Sequence, residues 1–269
     1  TLGGITDTNL LDPSSWTAGS GGVGIFNANG AAAEQNRYIG IDPWGNASMV
    51  WQTNPDAVSG ADGGWNTSGV AIDSTKLYRF SVWVKRTSTS GSGTFYFGLQ
   101  TSTGTVISLD SGSVNGNPYF TYAGTSGLTQ NQWYLYVGHC YPANYDSQMA
   151  HIDSGFYTTA GRAGWNSGNV TNDCRWIAGT TTATHRTYHY YCTDITTHLE
   201  FFYPRIDLVE GNQPSIKMLI TGTNPTDGIT FPNGTVQTSK YDSTDDSGKL
   251  LATQTFTGSG TWTKPAGCR

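Results

Sequence analysis

From Tyr78 to Lys85 apolar and polar side chains alternate without a break. Tyr78, Phe80, Val82 and Val84 share one face, while Arg79, Ser81, Trp83 and Lys85 share the other. A period of two is the signature of a half-buried strand. Thr94-Phe-Tyr-Phe-Gly-Leu-Gln repeats the pattern with Phe95, Phe97 and Leu99 inward, and a Ser/Thr/Gly turn at 87–93 separates the two runs. The pair is expected to form an antiparallel hairpin. Further strands are expected at Met49–Thr53, Trp133–Cys140, Thr187–Cys192 and Leu199–Val209, with a short helix near Pro214–Leu219. Many strands, Gly/Asn/Ser turns and no sustained helical period predict an all-β fold, a sandwich or a barrel.

Near the end, Asn233-Gly234 sits between Ile229-Thr-Phe and Thr235-Val-Gln. Both residues accept positive φ, so this is a two-residue hairpin signal. A lone hairpin is marginal in water and needs partner strands, for which other copies of the chain are one source. The composition shifts after Glu210-Gly-Asn-Gln-Pro. Residues 1–210 therefore read as one β domain, 211–226 as a linker and 227–269 as a hairpin-bearing junction. The first residues, Thr1-Leu2-Gly3-Gly4, lack a Met, and the chain stops at Cys268-Arg269 after a strand-like start. It reads as a segment of a longer polypeptide.

Composition narrows the class of partner. Charged residues are 12% of the 269, against roughly 25% in an average globular protein, so solubility rests on Ser, Thr, Asn, Gln and Gly. Aromatics are 13%, chiefly Tyr and Trp, whose rings carry one apolar and one polar end. Such a surface suits neutral polar ligands, sugars above all. A net charge of −5 and the lack of a basic stripe argue against nucleic acid. No apolar run approaches the ~18 residues of a bilayer span. Cys140, Cys174, Cys192 and Cys268 have no short paired spacing, which disfavours a zinc ribbon. For the first three, buried thiols are favoured over a disulfide.

Strand alternation selects the candidate binding residues. Trp83 and Tyr96 fall opposite the Phe/Val core positions, and Tyr134 and Tyr136 fall opposite Trp133, Leu135 and Val137. One sheet face carrying Trp83, Tyr96, Tyr134 and Tyr136 is either a sugar platform or a surface buried against a subunit or long loops. Asp42-Pro-Trp-Gly and Asp62-Gly-Gly-Trp place Trp44 and Trp65 on turn-rich segments, where they either touch ligand or pin the loops. His185, Thr187 and His189 share a strand face, with Asp194 beyond, but no motif that carries a catalytic mechanism is present. Imidazoles in such strands usually bond the core, and the chain is expected not to be an enzyme.

Two resemblances sharpen this. Asn9-Leu-Leu-Asp-Pro-Ser-Ser-Trp, Leu77–Leu99, Gln132-Trp-Tyr and Phe201-Phe-Tyr-Pro-Arg-Ile-Asp-Leu-Val resemble, in order, strands of the jelly-roll carbohydrate-binding modules attached to plant-polysaccharide hydrolases. Asp42-Pro-Trp-Gly-Asn-Ala-Ser-Met-Val-Trp-Gln-Thr, Ala61-Asp-Gly-Gly-Trp-Asn-Thr-Ser, Tyr188-His-Tyr-Tyr and Pro204-Arg-Ile-Asp resemble a module recurring in phage virion proteins. Asp227-Gly-Ile-Thr-Phe-Pro-Asn-Gly-Thr-Val-Gln-Thr and Phe256-Thr-Gly-Ser-Gly-Thr-Trp-Thr-Lys-Pro are similar to junction and tip segments of phage tail fibres. The resemblances imply a jelly-roll β-sandwich in a homotrimeric tail-fibre-like appendage, binding host cell-surface glycans beside other fibre subunits. They leave open a connector domain that meets no sugar, or a secreted bacterial adhesin module. The carbohydrate-binding modules often hold a structural Ca2+. Asp207 matches their closing-strand carboxylate and Glu34 is the early acidic partner; the alternative is that Asp207 pairs with Arg205 or faces water.

Overall fold

The computed structural model describes residues 8–164 and 172–223, with the backbone of 229–230 and 236–237. In chain order the first strands are β1 (Phe26–Ala28), β2 (Gln35–Ile41), β3 (Ala47–Thr53), β4 (Ala61–Thr67), β5 (Val70–Ala71) and β6 (Tyr78–Arg86). Then come β7 (Thr94–Thr101), β8 (Val106–Ser108), β9 (Val114–Asn115), β10 (Tyr119–Gly124) and β11 (Trp133–Tyr141). Next are β12 (Gly155–Thr158), β13 (Gly161–Arg162), β14 (Cys174–Trp176), β15 (Thr182–Tyr190) and β16 (Leu199–Leu208), before the helix α1 (Ile216–Thr221).

These strands form the two sheets of an all-β jelly-roll sandwich. The smaller sheet has the order β1-β4-β15-β7-β10, with β5 on β15; the larger runs β2-β3-β16-β6-β11-β14-β8-β9, with β12 and β13 beside β11. The expected hairpin of 78–85 with 94–100 does not form. β6 pairs with β11 and β16, whereas β7 pairs with β10 and β15. The 87–93 segment is therefore an arch between sheets, and the two apolar rows meet across the core. Phe95 of β7 lies 5.0 Å from Tyr136 and 5.9 Å from Phe201, both on the larger sheet. Phe80 and Phe97 both contact Phe120 at 5.2 Å.

The larger sheet is also covered on its outer side. Val50, Trp83, Trp133, Leu135, Val137, Tyr157 and Phe202 form a second apolar cluster with Leu219 and Ile220 of α1. A six-residue helix is unstable alone, so this burial holds it in place. Ser215 caps it by accepting from the Met218 amide, and Gly222 ends it at φ 69°, a left-handed conformation that favours glycine. The segment expected to be a linker thus packs on the sandwich, and the first compact unit runs through Asn224. In the second unit, Ile229 pairs with Gln237 and Thr230 with Val236 in an antiparallel ladder. The Asn233-Gly234 turn and Cys268 lie outside the described residues.

Cys140, Cys174 and Cys192 are buried free thiols. His185 and His189 face the core as expected. His185 bonds the Trp65 indole and the Ser81 carbonyl, and His189 bonds Thr53 and the Ser92 carbonyl.

Burial holds His185 down to about 3, His189 down to about 4 and His139 well below its ordinary range. The unfolded chain titrates these rings near pH ~6.5. Below that it binds three protons the folded state refuses, so stability falls as pH falls. Burial pushes Asp62 and Asp173 up to about 6. Between that value and the unfolded carboxylate range they act oppositely, favouring the folded state in acid. His151, also lowered by burial, and Glu34, also raised by it, add one group to each side. Four against three leave a net loss of about 1.4 kcal/mol per pH unit per net proton. The unfolding free energy by urea titration is expected to drop from pH 7 to pH 4.5; a flat or rising profile contradicts this.

Candidate functional site

The outer face of the smaller sheet carries the open aromatic surface. On β15 the inward row is Ala183, His185, Thr187 and His189, which turns Arg186, Tyr188 and Tyr190 outward. On β7 the same alternation turns Tyr96, Gly98 and Gln100 outward. A register shift between Tyr119 and Thr121 of β10 lets Phe120 fill the core while Tyr119 and Tyr122 point out. Cross-strand register then builds two rows. Tyr188, Tyr96 and Tyr122 stand side by side, and Arg186, Gly98 and Tyr119 form the row beneath. Gly98 matters because a Cβ there would strike the Pro118 carbonyl and the Tyr119 ring. Its bareness lets Arg186 lie across the strand to reach Tyr119.

Tyr96 is the hub. Its ring lies 4.8 Å from Tyr119, 6.1 Å from Tyr122, 5.9 Å from Tyr190 and 6.5 Å from Tyr191. Tyr96, Asn117, Tyr119, Arg186, Tyr190 and Tyr191 line a cleft of about 310 Å³. Tyr191 in this lining and Tyr122, stacked on Tyr96, have relative exposures of 55% and 63%, so each ring is open to a ligand. Tyr191 has φ 60°, an uncommon conformation for a bulky residue that costs on the order of 1–3 kcal/mol. Its amide donates to the Gly60 carbonyl at 2.8 Å, which fixes the bend that swings its ring beside the cleft.

Arg186 organises the polar floor. Its Nη2 donates to Tyr119 Oη at 2.7 Å and its Nε to Tyr188 Oη at 2.6 Å. Nη1 reaches the Leu99 carbonyl and Gln100 Oε1, each at 3.3 Å. The guanidinium lies 4.7 Å from the Tyr119 ring centre and 5.3 Å from that of Tyr188, within cation–π range. Tyr188 Oη donates to Asn66 Oδ1. Burial raises the phenols of Tyr96 and Tyr119 and pushes Tyr188 up to about 12, outweighing the opposing charge of Arg186 on the last two. At neutral pH these rings keep their protons and present both donors and acceptors. None of the six lining residues is a carboxylate, a thiol or an imidazole, so the cleft offers stacking and hydrogen bonding without an acid–base pair.

Two other clefts among the described residues are less suited to a polar ligand. One of about 410 Å³ is lined by Ser74, Thr75, Ala143, Asn144, Ala178 and Gly179, without a ring or a charge. A smaller apolar groove of about 180 Å³ lies by Trp16, Met49 and Phe202. His139, Ser154 and Asp173 assemble a buried array, but in the wrong order for nucleophilic catalysis. Ser154 Oγ bonds both Asp173 oxygens at 2.7 and 2.8 Å, and His139 Nδ1 meets Ser154 at 2.7 Å. The serine proton is thus given to the carboxylate and not to the imidazole, as a triad would require.

The expected four-aromatic platform is not one surface. Tyr96 belongs to the smaller sheet and the other three to the larger. Trp83 is 1% exposed, under Trp44 and α1. Tyr136 points inward, packed on Phe95 and Phe156. Its register partner is Val82, and Tyr134 pairs with Val84, so both tyrosines share the inner face of β6. Tyr134 is half-buried and bonds Thr129 through its hydroxyl. Trp44 is a loop pin: its indole N–H donates to the Ile220 carbonyl at 3.1 Å, and Asp42 caps the turn by accepting from the Trp44 and Asn46 amides. Trp65 is fully buried against Trp16, Phe26, Trp51 and Phe201. Arg186, Tyr119, Tyr122, Tyr190 and Tyr191 were not singled out from the sequence, although the alternation around His185 and His189 marks Arg186 and Tyr190 as outward.

Asp207 and Glu34 do not fit a calcium ion. Arg79 contacts Asp207 Oδ2 at 2.8 Å, and Arg205 contacts Oδ1 at 2.7 Å and Oδ2 at 3.1 Å. Burial opposes the Asp207 charge, but the hydrogen bonds and charges of the two arginines hold its carboxyl below the usual range. Two cations already surround one carboxylate there. Glu34 lies elsewhere, its carboxylate accepting from the Ala31 amide and its electrostatic neighbour being Asp56.

No family model and no curated protein matches this chain. Among solved structures, an arabinose-bound α-L-arabinofuranosidase aligns at 16% identity over 78% of this chain and 27% of that chain, with a TM-score of 0.40. The CBM22-1 xylan-binding domain from Paenibacillus barcinonensis Xyn10C aligns at 13% identity over 77% and 98%, TM-score 0.34. A cyclase from Fischerella sp. TAU aligns at 9% identity over 77% and 96%, TM-score 0.38. These likenesses are distant, and they include binding modules and enzymes alike.

The placement of Trp83 and Tyr96 in different environments has a measurable consequence. Trp83→Ala should cost about 3–5 kcal/mol, the range for emptying a buried aromatic site. Tyr96→Ala removes a half-exposed ring and should cost about 1 kcal/mol or less. Equal losses in chemical denaturation contradict this assignment.

Proposed function

We propose that this protein is a non-catalytic carbohydrate-binding β-sandwich whose ligand lies across the tyrosine cleft of the smaller sheet. The observation that carries this reading is a polar cleft walled by tyrosines, with the exposed ring of Tyr191 in its lining and the exposed ring of Tyr122 stacked on its Tyr96. Sugars present apolar C–H faces and a rim of hydroxyls. Rings take the first, while Asn117, Tyr119 and Arg186 take the second. Tyr96, Tyr119, Tyr122 and Tyr190 stand on paired strands, and Tyr188 and Arg186 are already bonded to their neighbours. Little side-chain freedom is then lost on binding, which favours affinity.

The setting we propose is a phage tail-fibre-like appendage acting outside the cell on host-surface glycans, supported by the virion-like sequence segments described above. One shallow cleft binds weakly; several copies on a homotrimeric fibre raise avidity through effective concentration. Sedimentation of a chain with its native flanking sequence should give a trimer, and a monodisperse monomer opposes the fibre setting.

Binding to a broad bacterial-glycan array tests the central claim. A related set of glycans should bind, and Tyr122→Ala and Tyr191→Ala should each weaken binding about tenfold, the lower range for base-like stacking on an aromatic ring (~1–3 kcal/mol). Thermal midpoints should stay near wild type. A blank array from folded protein transfers the face to a packing role between subunits.

A further inference from the structure

The charge on the floor of this cleft narrows the class of sugar. Building on the glycan-binding reading above, we propose that the cleft selects an acidic saccharide, with Arg186 and Tyr119 together holding its carboxylate.

Three observations lead there. The first is the absence of a counter-ion. The described ion pairs join Arg79 and Arg205 to Asp207 and Lys85 to Glu200; among the described residues Arg186 has no carboxylate in contact. Its half-buried guanidinium is surrounded by phenols and amides, which bond it without neutralising it.

The second is the use to which each arginine is put. Among the described residues Arg37, Arg86, Arg162 and Arg175 also meet no carboxylate, but they bond chiefly backbone carbonyls, at Thr17 and Ser20, Leu128 and Ser88, Ile152 and Ser154, and Ala143. Their one side-chain acceptor is the Tyr157 hydroxyl, for Arg162. Arg186 instead directs three of its four bonds to side chains, Tyr119, Tyr188 and Gln100, and it lines an open cleft. It secures no loop.

The third is the balance of donors. A guanidinium has five N–H groups, and four are engaged, which leaves one on Nη2 beside the Tyr119 hydroxyl. Tyr119 Oη accepts from Arg186 Nη2, and among the described residues no hydrogen bond takes its own proton, which is open to a ligand. Two donors and a positive charge converge on one point, while no carboxylate lines the cleft. A carboxylate accepts both donors at once, one through each oxygen, and supplies the missing charge. A neutral hydroxyl satisfies one of them and leaves the charge uncompensated.

The ligand class is thus a sugar acid such as a hexuronate or a nonulosonate, its ring stacked on the neighbouring tyrosines. The test is isothermal titration with an oligosaccharide that contains such a residue and with its carboxyl-reduced counterpart, which differs only at that group. Reduction should weaken binding at least tenfold, and raising the salt from 0.05 to about 0.5 M should weaken only the acidic ligand, because screening acts on charge. Arg186→Gln removes the charge and should abolish the preference, so that the acidic ligand binds no more tightly than its reduced counterpart, whatever loss the two share. Arg186→Lys should retain a preference for the acid. Equal affinity for both ligands in the wild type overturns the proposal while leaving glycan binding intact. Failure of both ligands to bind folded protein overturns the glycan reading along with it. Should Arg186→Gln misfold, the wild-type comparison of acid with reduced sugar decides alone.

Discussion

The pairing of β6 with β16 is buried on both faces, and most of the architecture follows from that requirement. A sheet with one wet face alternates apolar and polar residues. Here all but one residue of β6 and all but two of β16 are buried. The inner face meets the smaller sheet. The outer face, with Trp83, Trp133 and Phe202, needs a cover of its own, and the chain supplies one from the Trp44 turn, Tyr157 and α1. Once that side is occupied, the larger sheet has no open aromatic face near its centre. Among the described residues the other large sheet face is the outer one of the smaller sheet, and the exposed rings of Tyr122 and Tyr191 are found there.

The polar side of the same constraint is the Asp207 network. Arg79 on β6 and Arg205 on β16 flank Asp207, Thr8 adds a hydroxyl at 3.0 Å, and Arg79 also donates to the Pro214 carbonyl at 2.7 Å. The cluster ties the N-terminal segment, the central strand pair and the residue preceding the α1 cap into one unit. Such a network adds little net stability, because desolvation offsets most of the attraction. Its effect is on geometry, since any arrangement that separates one member leaves a charge buried without a partner. The cover helix is thereby fixed beside the strands whose outer face it protects.

This explains which parts of the structure were legible in the sequence. Strand positions were, because a period of two records burial residue by residue: Phe95, Phe97 and Leu99 face the core as the alternation implies. Sheet membership was not. Both a hairpin and an arch place Val84 and Phe95 inward, so the 87–93 turn carries no local signal that separates them. The same limit undid the four-aromatic platform. Tyr136 and Trp83 occupy opposite faces of adjacent strands, and the alternation within each strand does not state the phase between them; that phase is set by the register Tyr136–Val82. Nor does a Trp in a turn announce whether a helix from residue 216 onward will cover it, as Trp44 is covered. The buried histidines were legible because imidazole in an apolar row has few other options than core hydrogen bonds.

The cleft itself arises where the backbone departs from regularity. An ideal strand would send Tyr119 and Phe120 to opposite faces and Tyr122 to the same side as Phe120; the register shift in β10 breaks that rule and brings Tyr119 and Tyr122 to one face. A regular continuation of β15 would send Tyr191 inward after Tyr190; its positive φ instead keeps both rings outside, 5.4 Å apart. Each irregularity disfavours the fold locally, yet each adds one ring to the same surface. The positive φ of Tyr191 is the one backbone outlier among the residues lining this cleft, and an outlier at such a position motivates a hypothesis of function. Since the added groups are rings and phenols that stay protonated at neutral pH, the two irregularities build a surface fitted to stacking and hydrogen bonding.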